Sequence, residues 1–375
     1  MSFLKIGLPF RIKNPILAVG ADMKNSLCYA YHRSAFISGE ISDLEELDNF
    51  RKFQRSITLF SKRFDLPPRV IACDKHPGYI STKFAMNFAK TEKARLTPVQ
   101  HHHAHIASCM LENKLSNQKV IGVAFDGTGF GEDYTLWGGE FLIADYRNFQ
   151  RAAHLRHIPL LGGKSAILQP WRLTSAWLYL VFGNKFLELD FAKRIDKDDW
   201  AILEKMWRQN FNAPLCSSMG RFFDAVAGLL LGICKVEFEA EAALKLERAA
   251  SGYKSQPKNY PFKIKKINGV FVIDPALTFK GIVSDLRNGC RKEQIAANFH
   301  MTVARMIRNT CLKIRDDTRI NAIVLSGGVF QNKILFKLSL VLLRKERFRV
   351  FTHNILSCSD LNISLGQAAV ASYSN

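Results

Sequence analysis

The same local grammar occurs twice in this chain, and that repetition constrains the fold more than any single motif does. Pro15 to Asp22, PILAVGAD, reads as an apolar strand ending in a glycine-containing acidic turn, and SLCYAYHRSAFIS then reads as further strand. Val120 to Tyr146, VIGVAFDGTGFGEDYTLWGGEFLIADY, repeats this on a larger scale: buried strand, Asp-Gly turn, second strand. Helical stretches and another short apolar strand follow each, RVIACD in the first half and NAIVLSGGVF in the second, with RVFTH later. This order, occurring twice, predicts a duplicated α/β protein with its ligand in the cleft between the halves. The expected lobes are residues 14–118 and 119–375, the second carrying an insertion at about 164–300. Within it, SSMGRFFDAVAGLLLGIC and EAEAALKLERAA have helical spacing, and KSQPKNYPFKIKKING reads as a polar loop leading into a strand.

A chain of 375 residues, 47% hydrophobic and 23% charged, can bury a substantial core. No run reaches the roughly 18 apolar residues of a membrane span, and the N-terminus lacks the apolar core and cleavage site of a secretory signal. A cytoplasmic location is the expectation. Eight cysteines are scattered without a C-x-x-C pair, which argues against a zinc ribbon or disulfide framework and for reduced thiols. The net charge of +20 would suit an anionic partner such as nucleic acid, a nucleotide or an acidic protein face, although the basic residues are spread along the whole chain.

Four histidines fall in five positions of VQHHHAHIASCMLEN. If a helix begins near Val99, His101 and His105 lie at i and i+4 and present two imidazoles on one face, a geometry that suits a divalent metal. His102 and His103 then point elsewhere, as polar packing or as hydrogen-bond donors behind the ligands. Two ligands alone leave a metal site and a structural polar turn both open. DGTGFG, Asp126 to Gly131, follows a buried strand and could bring backbone N–H groups to an anion or remain a simple β-turn. LSGGVFQN, Leu325 to Asn332, is a strand running into a Gly-Gly turn at a helix start, where exposed amides could meet a ribose or phosphate. Asp360, just ahead of a helix, reads in isolation as an N-cap.

ILAVGADMKNSLC, VQHHHAHIASCMLEN, VAFDGTGFG, LWGGEFLIADY, SSMGRFFDAVAGLLLGIC, VLSGGVFQN and DLNISLGQA, in that order, resemble the C-terminal, Kae1-like carbamoyltransferase domain of the hydrogenase maturation factor HypF. That group is similar to the tRNA threonylcarbamoyl transferases and antibiotic O-carbamoyltransferases, which implies a duplicated RNase H-like, actin-like ATPase (ASKHA) fold. The resemblance implies that His101, His105, Asp126 and Asp360 surround a catalytic divalent metal, iron or zinc. It further implies that Gly127, Thr128, Gly129 and Gly131 cradle phosphate, that Ser326, Gly327, Gly328 and Asn332 line the adenosine side, and that Asp224 contacts ribose. The implied reaction is attack on carbamoyl-adenylate, a nucleotide made from ATP, by the C-terminal cysteine thiolate of a HypE-like partner, in making the cyanide ligand of a nickel–iron centre. None of this chain's own cysteines is needed as a covalent intermediate.

The acylphosphatase-like domain, C-x-x-C zinc motifs and YrdC-like domain of full-length members are not found in these 375 residues, so a separate polypeptide is expected to supply the donor. Two other readings compete: O-carbamoylation of a small-molecule hydroxyl, and a degenerate nucleotide- or RNA-binding scaffold favoured by the +20 charge. The second is prompted by departures from the family text. LGGKSAILQPWR stands for PGGDAAIREPWR, placing Lys164 for an acid and Gln169 for Glu; FEAEAA stands for YEGQAA, with Ala240 and Glu241. Asp133-Tyr134-Thr135 replaces Asp-Gly-Thr, and Ser359, Asp360, Leu361, Asn362 replace Asn-Asp-Gly-Gly. Losing Gly-Gly beside a ligand Asp is expected to crowd the pocket or alter the backbone approach.

Overall fold

The computed structural model describes residues 3–374. Its first part runs β1 (Leu4–Ala18), β2 (Cys28–Ile37), α1 (Leu47–Phe64), β3 (Val70–Asp74), α2 (Ile80–Thr91), β4 (Arg95–Val99) and α3 (His101–Glu112). The second begins with β5 (Val120–Phe130), β6 (Leu136–Ala144), β7 (Phe149–Leu155) and β8 (Ile158–Pro159). Then follow α4 (Lys164–Leu168), α5 (Pro170–Phe182), α6 (Lys197–Gln209), β9 (Leu215–Cys216), α7 (Met219–Leu231) and α8 (Glu241–Ser251). The chain continues through β10 (Lys263–Ile267), β11 (Val270–Asp274), α9 (Ala276–Arg287), α10 (Lys292–Thr318) and β12 (Ala322–Ser326). It ends with α11 (Lys333–Lys345), β13 (Arg349–Phe351) and α12 (Ile363–Tyr373).

The duplication is visible in strand pairing. In one sheet β1 pairs antiparallel with β2 and parallel with β3, which pairs parallel with β4. In the other, β5 pairs antiparallel with β6 and parallel with β12, which pairs parallel with β13. The second sheet grows outward through β7, β11 and β10, whereas the four-stranded sheet stops at β2. The edge strand β10 of that larger, nine-stranded sheet reads KIKKI; lysines along an exposed edge discourage pairing with another chain.

Two local readings are corrected. β1 begins at Leu4, well before Pro15, because Ile6, Leu8 and Ile12 alternate inward between exposed Lys5, Arg11 and Lys13 along a twice-bulged hairpin with β2. Asp126-Gly127 is not a turn: β5 continues to Phe130 past a register shift between Phe125 and Gly129. The chain reverses instead at 131–135, where Gly131 N–H donates to the Thr135 carbonyl and Tyr134 N–H to that of Gly131.

Between the sheets lie α3 and α12, and each crosses over. α3 follows β4 of the first sheet but packs on β5, β6 and β12, while α12 follows β13 of the second yet packs on β1, β2 and β3. Ala104, Ile106, Ala107, Met110, Leu365, Ala368 and Ala369 belong to one buried cluster with residues of both sheets. Polar links reinforce it: the Gln367 amide exchanges bonds with Gly20 N–H (2.9 Å) and C=O (3.2 Å), and Ser26 Oγ donates to the Leu361 carbonyl at 2.9 Å.

Glu112 closes α3 and is buried. Burial pushes its carboxyl up, but bonds from His353 and from the Ile355 and Asn354 amides outweigh that and hold it below its ordinary value. A carboxyl depressed in the folded state contributes stability that is present above its unfolded value and lost as pH falls through the folded one. Glu112→Gln is therefore expected to cost about 2 kcal/mol near neutral pH, from loss of charge-assisted bonds. The gap should narrow under acid conditions below the ordinary carboxylate range, as urea midpoints of both proteins would reveal.

Candidate metal centre

The helix carrying the histidines starts at His101 rather than Val99. Gln100 caps it, its Oε1 accepting from His103 N–H at 2.9 Å, so His101 and His105 fall on one face one turn apart. Asp126 comes from the bulged stretch of β5, and Asp360 from a single 3₁₀ turn, Asp360–Asn362, before α12. Asp360 is not the N-cap read from sequence: no side chain caps α12, and this carboxylate turns to the histidines instead.

His105 Nε2 lies 3.1 Å from Asp126 Oδ2 and 3.6 Å from Asp360 Oδ1; for His101 Nε2 the separations are 3.3 and 3.7 Å. All four donor atoms fall within 4.8 Å of one another. A tetrahedral ion with bonds of about 2.1 Å keeps its ligand atoms about 3.4 Å apart, so this set fits a divalent metal in size as well as in chemistry. Two imidazoles with two carboxylates suit iron, zinc or manganese.

Without an ion the four groups hold protons between them. Burial pushes both imidazoles down, but bonds to Asp126 and Asp360 outweigh it, raising His101 well above its ordinary value and His105 above it. Burial likewise pushes the carboxyls up, and the histidines reverse the sign, leaving Asp126 well below its usual range and Asp360 below it. Uptake of a dication must therefore release protons.

Further groups aim the ligands. His101 Nδ1 donates to Asp74 Oδ2 at 2.8 Å, which turns Nε2 toward Asp126 and Asp360, and Gly328 N–H donates to Asp126 Oδ1 at 3.1 Å. Asp74 was missed in the sequence, although its place at the C-terminal end of a parallel strand in RVIACD is where such folds put functional groups. His102 and His103 are indeed polar packing: His102 Nδ1 accepts from Gln100 Nε2, and His103 Nε2–H donates to the Asp145 carbonyl at 2.6 Å. Burial holds both neutral, His102 at about 3.

Of the remaining glycines and polar groups, Gly127 borders a buried cluster. A Cβ there would meet Glu239 Oε1 at 2.6 Å and Arg221 Nη2 at 3.5 Å, and the start of α7 abuts it through Gly220. Asp224 stands 3.1 Å from Arg221 Nη1, and Glu239 bonds Arg221 Nη2 at 2.8 Å. Burial pushes Asp224 up to about 6, and its Oδ2, with Arg221 Nε and Nη1, has no aligned hydrogen-bond partner. Thr128 follows in β5, half-buried. Gly129 gives α3 room, since a Cβ would lie 2.6 Å from His102 Cε1, and Gly131 packs on the Trp137 ring at the hairpin turn. Gly327 needs its positive φ of 98° and its closeness to the Phe125 backbone. The Ser326 hydroxyl bonds His353 Nε2 at 2.8 Å, and Asn332 caps α11 and bonds His300.

Several departures from the family text are absorbed. Gln169 accepts from Arg172 Nε at 2.6 Å, and Lys164 pairs with Glu45 of the first sheet's lobe at an exposed site. Neither Leu361 nor Asn362 adopts a positive φ, and Asn362 packs on the Nδ1 side of His105, away from the ligand atoms, so the pocket is not crowded. Tyr134 and Ala240 do occupy glycine-like backbone, at φ 61° and 70°. Ala240→Gly is expected to stabilise the protein by about 0.5–1 kcal/mol, the left-handed penalty of an alanine less glycine's greater freedom in the unfolded chain. A higher urea midpoint checks it.

A family described as "HypF Kae1-like domain" matches residues 11–112, and one described as "Carbamoyltransferase, Kae1-like Domain, second subdomain" matches residues 122–367. The chain is 33% identical over 377 residues to the carbamoyltransferase HypF of Synechocystis sp., covering 96% of this chain and 48% of that protein. It is 31% identical over 365 residues to a "Carbamoyltransferase HypF homolog" of Cupriavidus necator, covering 95% of this chain and 91% of that protein. A crystal structure of full-length HypF in the phosphate- and nucleotide-bound form matches with a TM-score of 0.92 and 39% identity, over 98% of this chain and 56% of that one. HypF of T. kodakarensis matches with a TM-score of 0.88 and 29% identity, over 99% and 48%. The chain thus spans about half the length of most curated relatives it matches. Among the described residues, no helix is long and apolar enough to cross a membrane.

Proposed function

Since this chain belongs to the HypF family of Kae1-like carbamoyltransferase domains, we propose that it transfers a carbamoyl group from carbamoyl-adenylate to the C-terminal cysteine thiolate of a HypE-like partner protein. The observation that carries this reading is the convergence of His101, His105, Asp126 and Asp360 beside the Gly127–Arg221–Asp224–Glu239 cluster. Those four ligands would hold the metal, which when bound supplies Lewis-acid polarisation of the carbamoyl carbonyl.

The protein's own residues bind and orient. β5 joins the two regions, because Asp126 faces the histidines while the next residue, Gly127, faces the α7 cluster. A nucleotide lying along Gly127 would present its acyl carbon toward Asp126. Arg221, held between Asp224 and Glu239, sets a buried positive charge beside that path. Asp224 and Glu239 offer acceptors for ribose hydroxyls. In transfer, the thiolate sulfur attacks the carbonyl carbon, a C–S bond forms, the C–O bond to the adenylate phosphate breaks, and AMP leaves with the electron pair. Intact ligands within an absorbed set of departures favour this reading over a degenerate scaffold.

The test uses metal-loaded protein, carbamoyl-adenylate generated in situ by a separate donor-forming domain, and an acceptor protein ending in cysteine. Carbamoylation of that thiol, seen by mass spectrometry and dependent on this chain, is the expected result. Transfer to small-molecule hydroxyls alone, or no transfer, would sink the proposal.

A further inference from the structure

His101 and His105 project from one face of α3, yet their rear nitrogens meet unlike groups. Behind His101 stands the Asp74 carboxylate; behind His105 stands the neutral amide of Asn362, whose Oδ1 lies 3.1 Å from His105 Nδ1. The orientation of that amide is fixed independently of His105. Its Nδ2 lies 3.0 Å from the Ser357 carbonyl, an oxygen that can only accept, so nitrogen faces Ser357 and oxygen faces His105. An accepting oxygen at that position calls for a proton on His105 Nδ1, so that Nε2, turned to Asp126 and Asp360, is the nitrogen whose lone pair is freed when a dication displaces the proton shared there.

The remaining Nδ2 hydrogen of Asn362 points to His353 Nε2 at 3.3 Å, and His353 Nδ1 lies 2.7 Å from Glu112 Oε1. Glu112 can only accept, since it also takes the amide hydrogens of Asn354, Ile355 and Leu356. His353 therefore carries its proton on Nδ1 and accepts at Nε2, from Asn362 and from the Ser326 hydroxyl 2.8 Å away. Glu112 and Asn362 are buried, and the His353 side chain is 4% exposed, so water does not compete for these bonds.

We propose that Glu112, His353 and Asn362 form a positioning relay that fixes the tautomer of His105, so that its Nε2 is presented to the metal. The relay joins the end of α3 to its ligand-bearing turn by way of the segment between β13 and α12. It gives Asn362 a specific role. It rests on the metal reading above, and none of its members touches the metal or the substrate.

The experiment measures zinc affinity by chelator competition, with nitrogen-15 histidine spectra of zinc-loaded protein, for wild type, Asn362→Leu, Glu112→Gln and the double variant. Asn362→Leu is expected to weaken zinc binding by about 10–100-fold, and to remove the Nδ1–H tautomer signature of His105, at a temperature where the zinc-free variant is still fully folded. Glu112→Gln should also weaken binding, but add nothing in the Asn362→Leu background, because its influence passes through that amide. Unchanged affinity and spectrum in Asn362→Leu would overturn the relay, as would additive losses in the double variant. If Glu112→Gln fails to fold, the Asn362→Leu comparison decides alone. A wild-type protein that takes up no zinc would overturn the metal reading and the relay with it, a result distinct from equal binding by both proteins.

Discussion

His105→Ala and Asp126→Asn are each expected to leave the protein without stoichiometric metal. Losing a ligand should weaken binding well beyond the roughly 10–100-fold that loss of an outer partner costs. His105 supplies one of four donor atoms and lies close to both carboxylates, at 3.1 and 3.6 Å. Removing it leaves Asp126 and Asp360 facing each other with only His101 between them, so one carboxyl should take up a proton and cease to be a good ligand. Asp126→Asn acts differently, replacing the oxygen nearest both histidines by a neutral amide. Carbamoyl transfer should fall by at least the roughly 10²–10³-fold that a single oxyanion stabiliser contributes. Elemental analysis after reconstitution, with wild type and His103→Gln alongside, gives the readout. His103 belongs to the same histidine run but spends its Nε2–H on the Asp145 carbonyl, so His103→Gln should keep its metal. Equimolar metal in both ligand variants would remove this centre from the account.

How much of this was legible beforehand follows from the length scale of each feature. That His101, His105, Asp126 and Asp360 come together was legible because a family resemblance ties distant positions together, and the pairing of His101 with His105 because helical spacing is local. The duplication was legible because strand composition repeats, although charged alternation hid the first half of β1. What reaches behind the ligands was not legible. Asp74, Asn362 and Glu112 lie 27, 257 and 241 residues from the histidines they bond, and nothing in the local text of any of them signals a partner. Glycine was legible as a small residue but not as to its use: Gly129 and Gly131 are accounted for by packing against His102 and Trp137, a close approach that only the assembled sheet and helix define. The crossover of α3 and α12 was likewise invisible, since each helix follows one sheet in sequence and packs on the other.

That crossover makes Gly366 the position where a single methyl should do most harm. Gly366 sits in the first turns of α12 with ordinary helical backbone, so on local grounds Gly366→Ala should gain about 1 kcal/mol of helix propensity. The tertiary structure reverses the sign. A Cβ at Gly366 would overlap the Ala104 carbonyl oxygen and lie 2.5 Å from its carbon and 2.8 Å from Ala104 Cα, all of them backbone atoms of α3 that no rotamer change can move. The two helices would have to separate, and they are buried against opposite sheets. Overpacking of this kind costs about 1–3 kcal/mol and more where backbone must shift; a net loss near 3 kcal/mol is expected, lowering Tm by roughly 4 °C. The effect should extend beyond stability. Ala104 lies between His101 and His105, and Gly366 follows Asp360 by less than two turns, so this contact sets the distance between ligands from the two halves. Variants still folded at room temperature should bind zinc more weakly in proportion to that displacement. Gly366→Ala with the wild-type midpoint and wild-type zinc affinity would mean that the helix contact is looser than it stands here. A lowered midpoint with full affinity would separate the packing of the halves from the geometry of the centre.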